Sequence, residues 1–175
     1  VQMAMVWLIT GASSGLGDGI ARAVLDRGDF VAVTSRDTDR LKPLTEKYPN
    51  QAFPVTLDLN NAASMRQAVQ SVLERFGKVN VLENNAGYGY RAAIEESEPA
   101  AVEELFQTNF FGPMELVRLI LPQMRAQHSG FIINISSIGA VRGALGNGYY
   151  SAAKGALELA SEALSKEVQQ LGVRV

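Results

Sequence analysis

Leu8-Ile9-Thr10-Gly11-Ala12-Ser13-Ser14-Gly15-Leu16-Gly17 constrains this chain more than any other stretch. It continues an apolar run, Val6-Trp7-Leu8-Ile9, that lacks polar alternation, the pattern of a parallel strand buried on both faces. Beyond it Ile20, Ala21, Val24 and Leu25 recur at helical spacing until Gly28 ends the segment. Three glycines therefore fall on a strand-to-helix turn. There they let the backbone bend sharply and let a pyrophosphate approach the free N–H groups of a helix N-terminus. The hydroxyls of Ser13 and Ser14 add donors. The spacing is Gly-x-x-x-Gly-x-Gly, not the Gly-x-Gly-x-x-Gly of the common dinucleotide fingerprint. An ordinary tight turn is the plain alternative; the position between a buried strand and a helix favours a dinucleotide.

Strand and helix signals alternate along the whole chain, with no linker or repeat, which predicts a doubly wound α/β sheet. Further strands are expected at Phe30–Thr34, Ala52–Leu57, Val79–Leu82 and Phe131–Ile135. Helices are expected at Leu41–Tyr48 and Ala62–Phe76, the latter stopped by Gly77. A long helix from Pro99 to Gln127 is expected to bend at Gly112-Pro113 and at Pro122. A last helix runs from Tyr149 to Leu171, and Val173-Arg174-Val175 opens a sixth strand. The reading is of a single domain over residues 1–175 whose sheet lacks its C-terminal strands, with a longer working chain expected.

Composition narrows the chemistry. A net charge of −2 without a basic stripe argues against nucleic acid and membrane surfaces as partners. With no cysteine, disulfides, thiol catalysis and thiolate metal sites are removed together, and the lone His128 builds no histidine metal cluster. No apolar run reaches membrane-spanning length, so a cytoplasmic protein is the default expectation. His128 is read as a surface residue compensating a helix C-terminus, and Glu95, Glu96, Glu98, Glu103 and Glu104 as a helix start with its solvated face.

In open α/β sheets ligands bind beyond the carboxyl ends of the strands. Arg36 follows the second strand, 19 residues after Gly17, where an NAD-binding chain places an acidic residue for the ribose 2′-hydroxyl. Ser35-Arg36 there suits a 2′-phosphate instead, a solvated surface arginine being the alternative. Asp58 ends the third strand and accepts from an adenine amino group or caps a helix. Tyr150 and Lys154, four apart, share one helix face, where an ammonium beside a phenol favours the phenolate. Such a tyrosine exchanges a proton with a carbonyl or alcohol oxygen while a hydride moves. Ser137 lies 13 positions before Tyr150 at a strand end, and Asn109 is a mid-helix asparagine that needs a polar reason. Tyr88, Tyr90, Val141 and Tyr149 are candidates to line an apolar substrate pocket, core packing being the alternative.

Together these motifs resemble the short-chain dehydrogenase/reductase family over essentially the whole chain. Thr10-Gly11-x-x-x-Gly15-x-Gly17 resembles its cofactor loop, and Asn84-Asn85-Ala86-Gly87 its fourth-strand motif. Asn109, Ser137, Tyr150 and Lys154 match its catalytic tetrad in order and spacing. The resemblance implies a Rossmann-type three-layer fold and hydride exchange between a nicotinamide cofactor and a ketone, aldehyde or secondary alcohol. It implies Tyr150 as acid/base, Lys154 on the nicotinamide ribose, Ser137 orienting substrate and Asn109 holding a relay water. Cofactor contacts are implied for Thr10, Gly11, Ser13, Ser14, Gly15, Leu16, Gly17, Ser35, Arg36, Asp58, Leu59, Asn85, Ala86, Gly87, Tyr150 and Lys154. Arg36 points to NADP(H) over NAD(H). A homodimer or homotetramer paired through the long and last helices is also implied.

Three positions depart from the family pattern: Asp18 after the glycine loop, Ala153 before the lysine, and Glu83 inside a buried strand. The rival expectation is a dinucleotide-binding module without turnover.

Overall fold

The computed structural model describes residues 4–175. Six parallel strands form one sheet in the order β3-β2-β1-β4-β5-β6. The strands are β1 (Val6–Ile9), β2 (Phe30–Ser35), β3 (Ala52–Thr56), β4 (Val81–Asn84), β5 (Gly130–Asn134) and β6 (Val173–Arg174). The helices are α1 (Gly15–Asp26), α2 (Lys42–Lys47), α3 (Ala62–Phe76), α4 (Pro99–Phe106), α5 (Gly112–Gln127) and α6 (Gly148–Val168). This is the doubly wound α/β fold, its chain order reversing between β1 and β4, where a crevice opens at the strand ends.

Alternation along each strand splits the core in two. Ile9, Val31 and Val33 pack with Ala21, Val24 and Leu25 of α1 and Leu44 of α2. Leu8, Leu82 and Ile132 face the other way, onto Met65 and Val72 of α3, Leu116 and Ile120 of α5, and Leu164 of α6. That is why these strands carry continuous apolar runs: both faces are covered.

Several boundaries differ from the sequence expectation. β4 begins at Val81, because both the N–H and the C=O of Val79 are taken by the Gln123 side chain (3.2 and 2.8 Å) and not by a strand ladder. The expected single helix from Pro99 to Gln127 is three pieces: α4, a π-helical turn at Gln107–Phe111, and α5. The helix continues through Pro122. β6 pairs with β5 at two positions, Gly130↔Val173 and Phe131↔Arg174. Beyond them Ile133 remains 38% exposed. His128 caps α5 in the left-handed region (φ 51°). Among the described residues no helix is long and apolar enough to cross a membrane.

Candidate active site

The turn after β1 is held by its neighbour strand. The Thr10 hydroxyl accepts from the backbone N–H of Asn85 and of Ala86, both at 2.9 Å. The Asn85 amide donates back to the carbonyls of Thr10 (3.0 Å) and Gly11 (3.3 Å). Gly11 stands at φ 67°, and a methyl carbon on it would meet Ala86 Cα at 3.0 Å. Gly17 is tighter: a methyl carbon there overlaps the Gly11 carbonyl and the Asn85 amide. Gly17→Ala is therefore expected to cost about 1–3 kcal/mol by overpacking against backbone. In thermal melts its midpoint falls, while that of Gly19→Ala, which has open space around it, does not. Ser14 begins α1 without capping it through its side chain, so its hydroxyl and the first N–H groups of the helix are available to an anion.

A cavity of about 470 Å³ opens over this turn. Thr10, Gly11, Ser13, Ser14, Gly15 and Leu16 line it from the glycine turn, and Ser35 and Arg36 from the end of β2. Asp58 and Leu59 line it after β3, and Asn85, Ala86 and Gly87 after β4. Gly17, Tyr150 and Lys154, although implied as contacts, are not in the lining; Gly17 sets the turn's closeness. The cavity has room, backbone donors and hydroxyls for a dinucleotide, so the residues present fit that group. Arg40, Asn60, Thr108 and Glu104 also line it, and sequence reading did not find them. Glu104 is exposed, as expected of a solvated face, and stands at the cavity's rim. Of the four apolar-pocket candidates only Tyr88 lines this cavity. Its phenol is pushed up by burial, with Glu104 adding to that and Arg36 opposing it.

The π turn fixes Asn109. Pro113 has no N–H for the Asn109 carbonyl four residues back, so the helix widens and the Gly112 N–H reaches Gln107 O instead. Side chains tie the turn to the loop after β3: Gln107 donates to Leu59 O (2.9 Å) and Asn60 donates to the Thr108 hydroxyl (3.1 Å). Asn109 itself is 0% exposed. Its amide donates to Tyr88 O (3.0 Å) and Leu105 O (3.2 Å), and its carbonyl accepts from Tyr88 N–H (3.3 Å).

Two glycines bring the four catalytic candidates together. A methyl carbon on Gly87 overlaps the Asn109 amide oxygen and stands 3.6 Å from Lys154 Nζ. One on Gly139 stands 3.3 Å from Tyr150 Cε1 and 3.4 Å from Ser137 Oγ. Tyr150 and Lys154 are one turn apart on α6, so the two pairs form a single cluster. Ser137 Oγ accepts from Gly139 N–H (3.0 Å), which leaves its proton free to donate. Lys154 is 6% exposed and donates to Ile135 O at 2.8 Å. Burial pulls its ammonium below the ordinary lysine value.

The remaining singled-out residues resolve individually. Asp58 is not the helix cap: Asn61 caps α3, accepting from Ala63 and Ser64, while Asp58 accepts from Asn60 N–H (2.9 Å). Asp18 is paired with Arg22 at 2.8 Å, one turn on. Glu83 lies in register with Ile9 of β1 and Ile133 of β5, 1% exposed, with neither carboxyl oxygen bonded among the described residues. Burial pushes its carboxyl up to about 7.

Fold and site geometry together define a doubly wound α/β domain with a cavity at the strand ends, and comparison gives the family. The short chain dehydrogenase family model matches residues 5–175, and the chain belongs to that family. It is similar to a 3-ketodihydrosphingosine reductase of Bacteroides thetaiotaomicron, 41% identical over 168 residues, covering 96% of this chain and 60% of that one. A short-chain dehydrogenase structure from Streptomyces avermitilis superposes with a TM-score of 0.97 at 43% identity, over 99% of this chain and 64% of that chain. A metagenomic short-chain oxidoreductase solved in complex with NADP gives a TM-score of 0.94 at 31% identity, over 98% and 79%. The chain thus spans less than two thirds of the first two relatives.

Proposed function

We propose that residues 1–175 form one dinucleotide-binding and catalytic domain of an NADP(H)-dependent oxidoreductase acting on a ketone, aldehyde or secondary alcohol. The observation that carries this reading is the gathering of Asn109, Ser137, Tyr150 and Lys154 around Gly87 and Gly139, with Gly87 also lining the cavity. When bound there, the nicotinamide supplies or accepts the hydride. Ser137, its oxygen already engaged by Gly139 N–H, donates its proton to the carbonyl oxygen and orients it. Tyr150 gives the proton that completes reduction, or takes it in oxidation. Lys154, fixed by Ile135 O, holds the nicotinamide ribose with its remaining protons. Asn109 keeps the loop after β4 in place and holds the relay water. The glycine turn and the first N–H groups of α1 take the pyrophosphate. Exposed Phe111, in the turn that leads into α5, and Leu159 of α6 suit pairing with a second copy through the long and last helices, in the cytoplasm.

The reading is tested with a panel of carbonyl compounds followed by NADPH absorbance, with NADH in parallel. Arg36 at the cavity end favours the phosphorylated cofactor, by about 1.5–3 kcal/mol for hydrogen bonds to a charged group. Arg36→Ala is expected to lower that preference and leave NADH binding unchanged. Equal affinity of the unaltered chain for both cofactors removes the assignment.

A further inference from the structure

We infer that Asn134 is a positioning residue, whose side chain ties α6 to the sheet and to α5 and so keeps Lys154 and Tyr150 in register with Ser137. The inference rests on the oxidoreductase reading and deepens it.

β4 and β5 both end on an asparagine, and Asn84 and Asn134 lie side by side in register. Alternation puts them on the face of Leu82 and Ile132, the face that α5 and α6 cover. Polar side chains placed there have to find partners. They find them in one direction. The Asn84 amide donates to Asn134 Oδ1 (2.8 Å) and to Pro113 O (3.4 Å) in the first turn of α5. The Asn134 amide donates to Ser161 Oγ of α6 (2.8 Å), and that hydroxyl donates to Leu157 O (2.6 Å). Asn84 Oδ1, at the head of the chain of bonds, has no donor among the described residues.

This chain of bonds joins every element that carries a catalytic candidate. Asn109 lies in the π turn just before Pro113, Ser137 follows Asn134 by three residues, and Tyr150 and Lys154 stand on α6. β5 holds α6 at two points: Ile135 O accepts from Lys154 (2.8 Å), and the Asn134 amide reaches Ser161. Lys154 and Ser161 are seven residues apart, two turns along one helix face. Two such ties stop α6 from sliding or rolling on the strand. Without the Asn134 tie the register rests on Lys154, the ammonium that also has to hold the ribose. A slip of one residue moves a helix about 1.5 Å along its axis, and a misplacement of about 1 Å costs an active site as much as about 10²-fold.

The test compares the chain with Asn134→Leu, Ser161→Ala, Ser161→Thr and the Asn134→Leu, Ser161→Ala double variant. Calorimetry measures binding of NADPH and of 2′,5′-ADP, which lacks the nicotinamide half, and the absorbance assay gives kcat. Asn134→Leu and Ser161→Ala are each expected to weaken NADPH roughly 3–10-fold, as for one lost hydrogen bond, and to lower kcat roughly 10–100-fold. Binding of 2′,5′-ADP stays unchanged, which also reports an intact fold. Ser161→Thr keeps the hydroxyl and restores both values. The double variant is no worse than Asn134→Leu, because both changes break the same tie. If Asn134→Leu does not fold, Ser161→Ala and Ser161→Thr decide alone. Parent values of NADPH affinity and kcat in Ser161→Ala overturn the inference. So does a loss of 2′,5′-ADP binding in step with NADPH, which makes the bonds a support of the fold and nothing more. An unaltered chain that binds NADPH no tighter than 2′,5′-ADP and turns over no carbonyl compound overturns the oxidoreductase reading itself.

Discussion

Tyr150→Phe is expected to lower turnover roughly 10²–10⁴-fold, the usual contribution of a positioned acid or base. The substitution keeps the ring that rests against Gly139 and removes only the proton donor. Nothing in the lining of the dinucleotide cavity changes, because Tyr150 is not part of it. NADPH affinity, measured by fluorescence titration, therefore stays near its starting value while the absorbance assay loses its slope. A variant with full activity makes Tyr150 a packing residue and moves the proton donor elsewhere.

Glu83 carries the largest expected effect on stability. An unfolded chain ionises this carboxyl near its ordinary value of 4.5, but the folded protein holds the proton up to about 7. Between those values the folded state binds more protons, so stability falls as pH rises, by up to about 1.4 kcal/mol per pH unit. The stabilisation is whole below about 4.5 and gone above about 7, a total of about 3 kcal/mol. Glu83→Val puts an apolar, β-branched side chain between Ile9 and Ile133 with no charge to desolvate. Its thermal midpoint is expected to exceed that of the parent by roughly 6–12 °C at pH 8, at about 2–4 °C per kcal/mol. The difference shrinks toward pH 5. Melting curves that stay parallel from pH 5 to 8 contradict this account.

The fold was legible because both kinds of signal were local. Apolar runs such as Val6–Ile9 and Phe30–Thr34 mark strands covered on two faces, and helical spacing between glycines marks the crossovers. The candidate site was legible in part for a related reason: its residues sit at strand ends and on one face of α6. What escaped depends on tertiary partners. Val79 has the character of a strand residue, yet Gln123, distant in sequence, takes its backbone groups. Asp58 fits a helix cap by its position at a strand end, but Asn61, three residues on, fills that role. Arg40 carries no signal in one dimension, since a turn pinned by Leu41 decides where it points. Glu83 is visible as a misfit in an apolar strand, and among the described residues no partner explains it.

The widened turn at Gln107–Phe111 has a consequence for helical phase. It amounts to one extra residue threaded into the backbone, and each residue of an α-helix advances about 100° around the axis. Everything from Gly112 onward is rotated by that angle from where an uninterrupted continuation of α4 carries it. The two halves can therefore answer different neighbours. Gln107 and Asn109 grip the loops after β3 and β4, while Leu116, Ile120 and Met124 still meet the sheet squarely. Deleting a single residue from the turn brings the halves back into step and makes them compete: either the apolar stripe of α5 leaves the core, or Asn109 turns away from Tyr88.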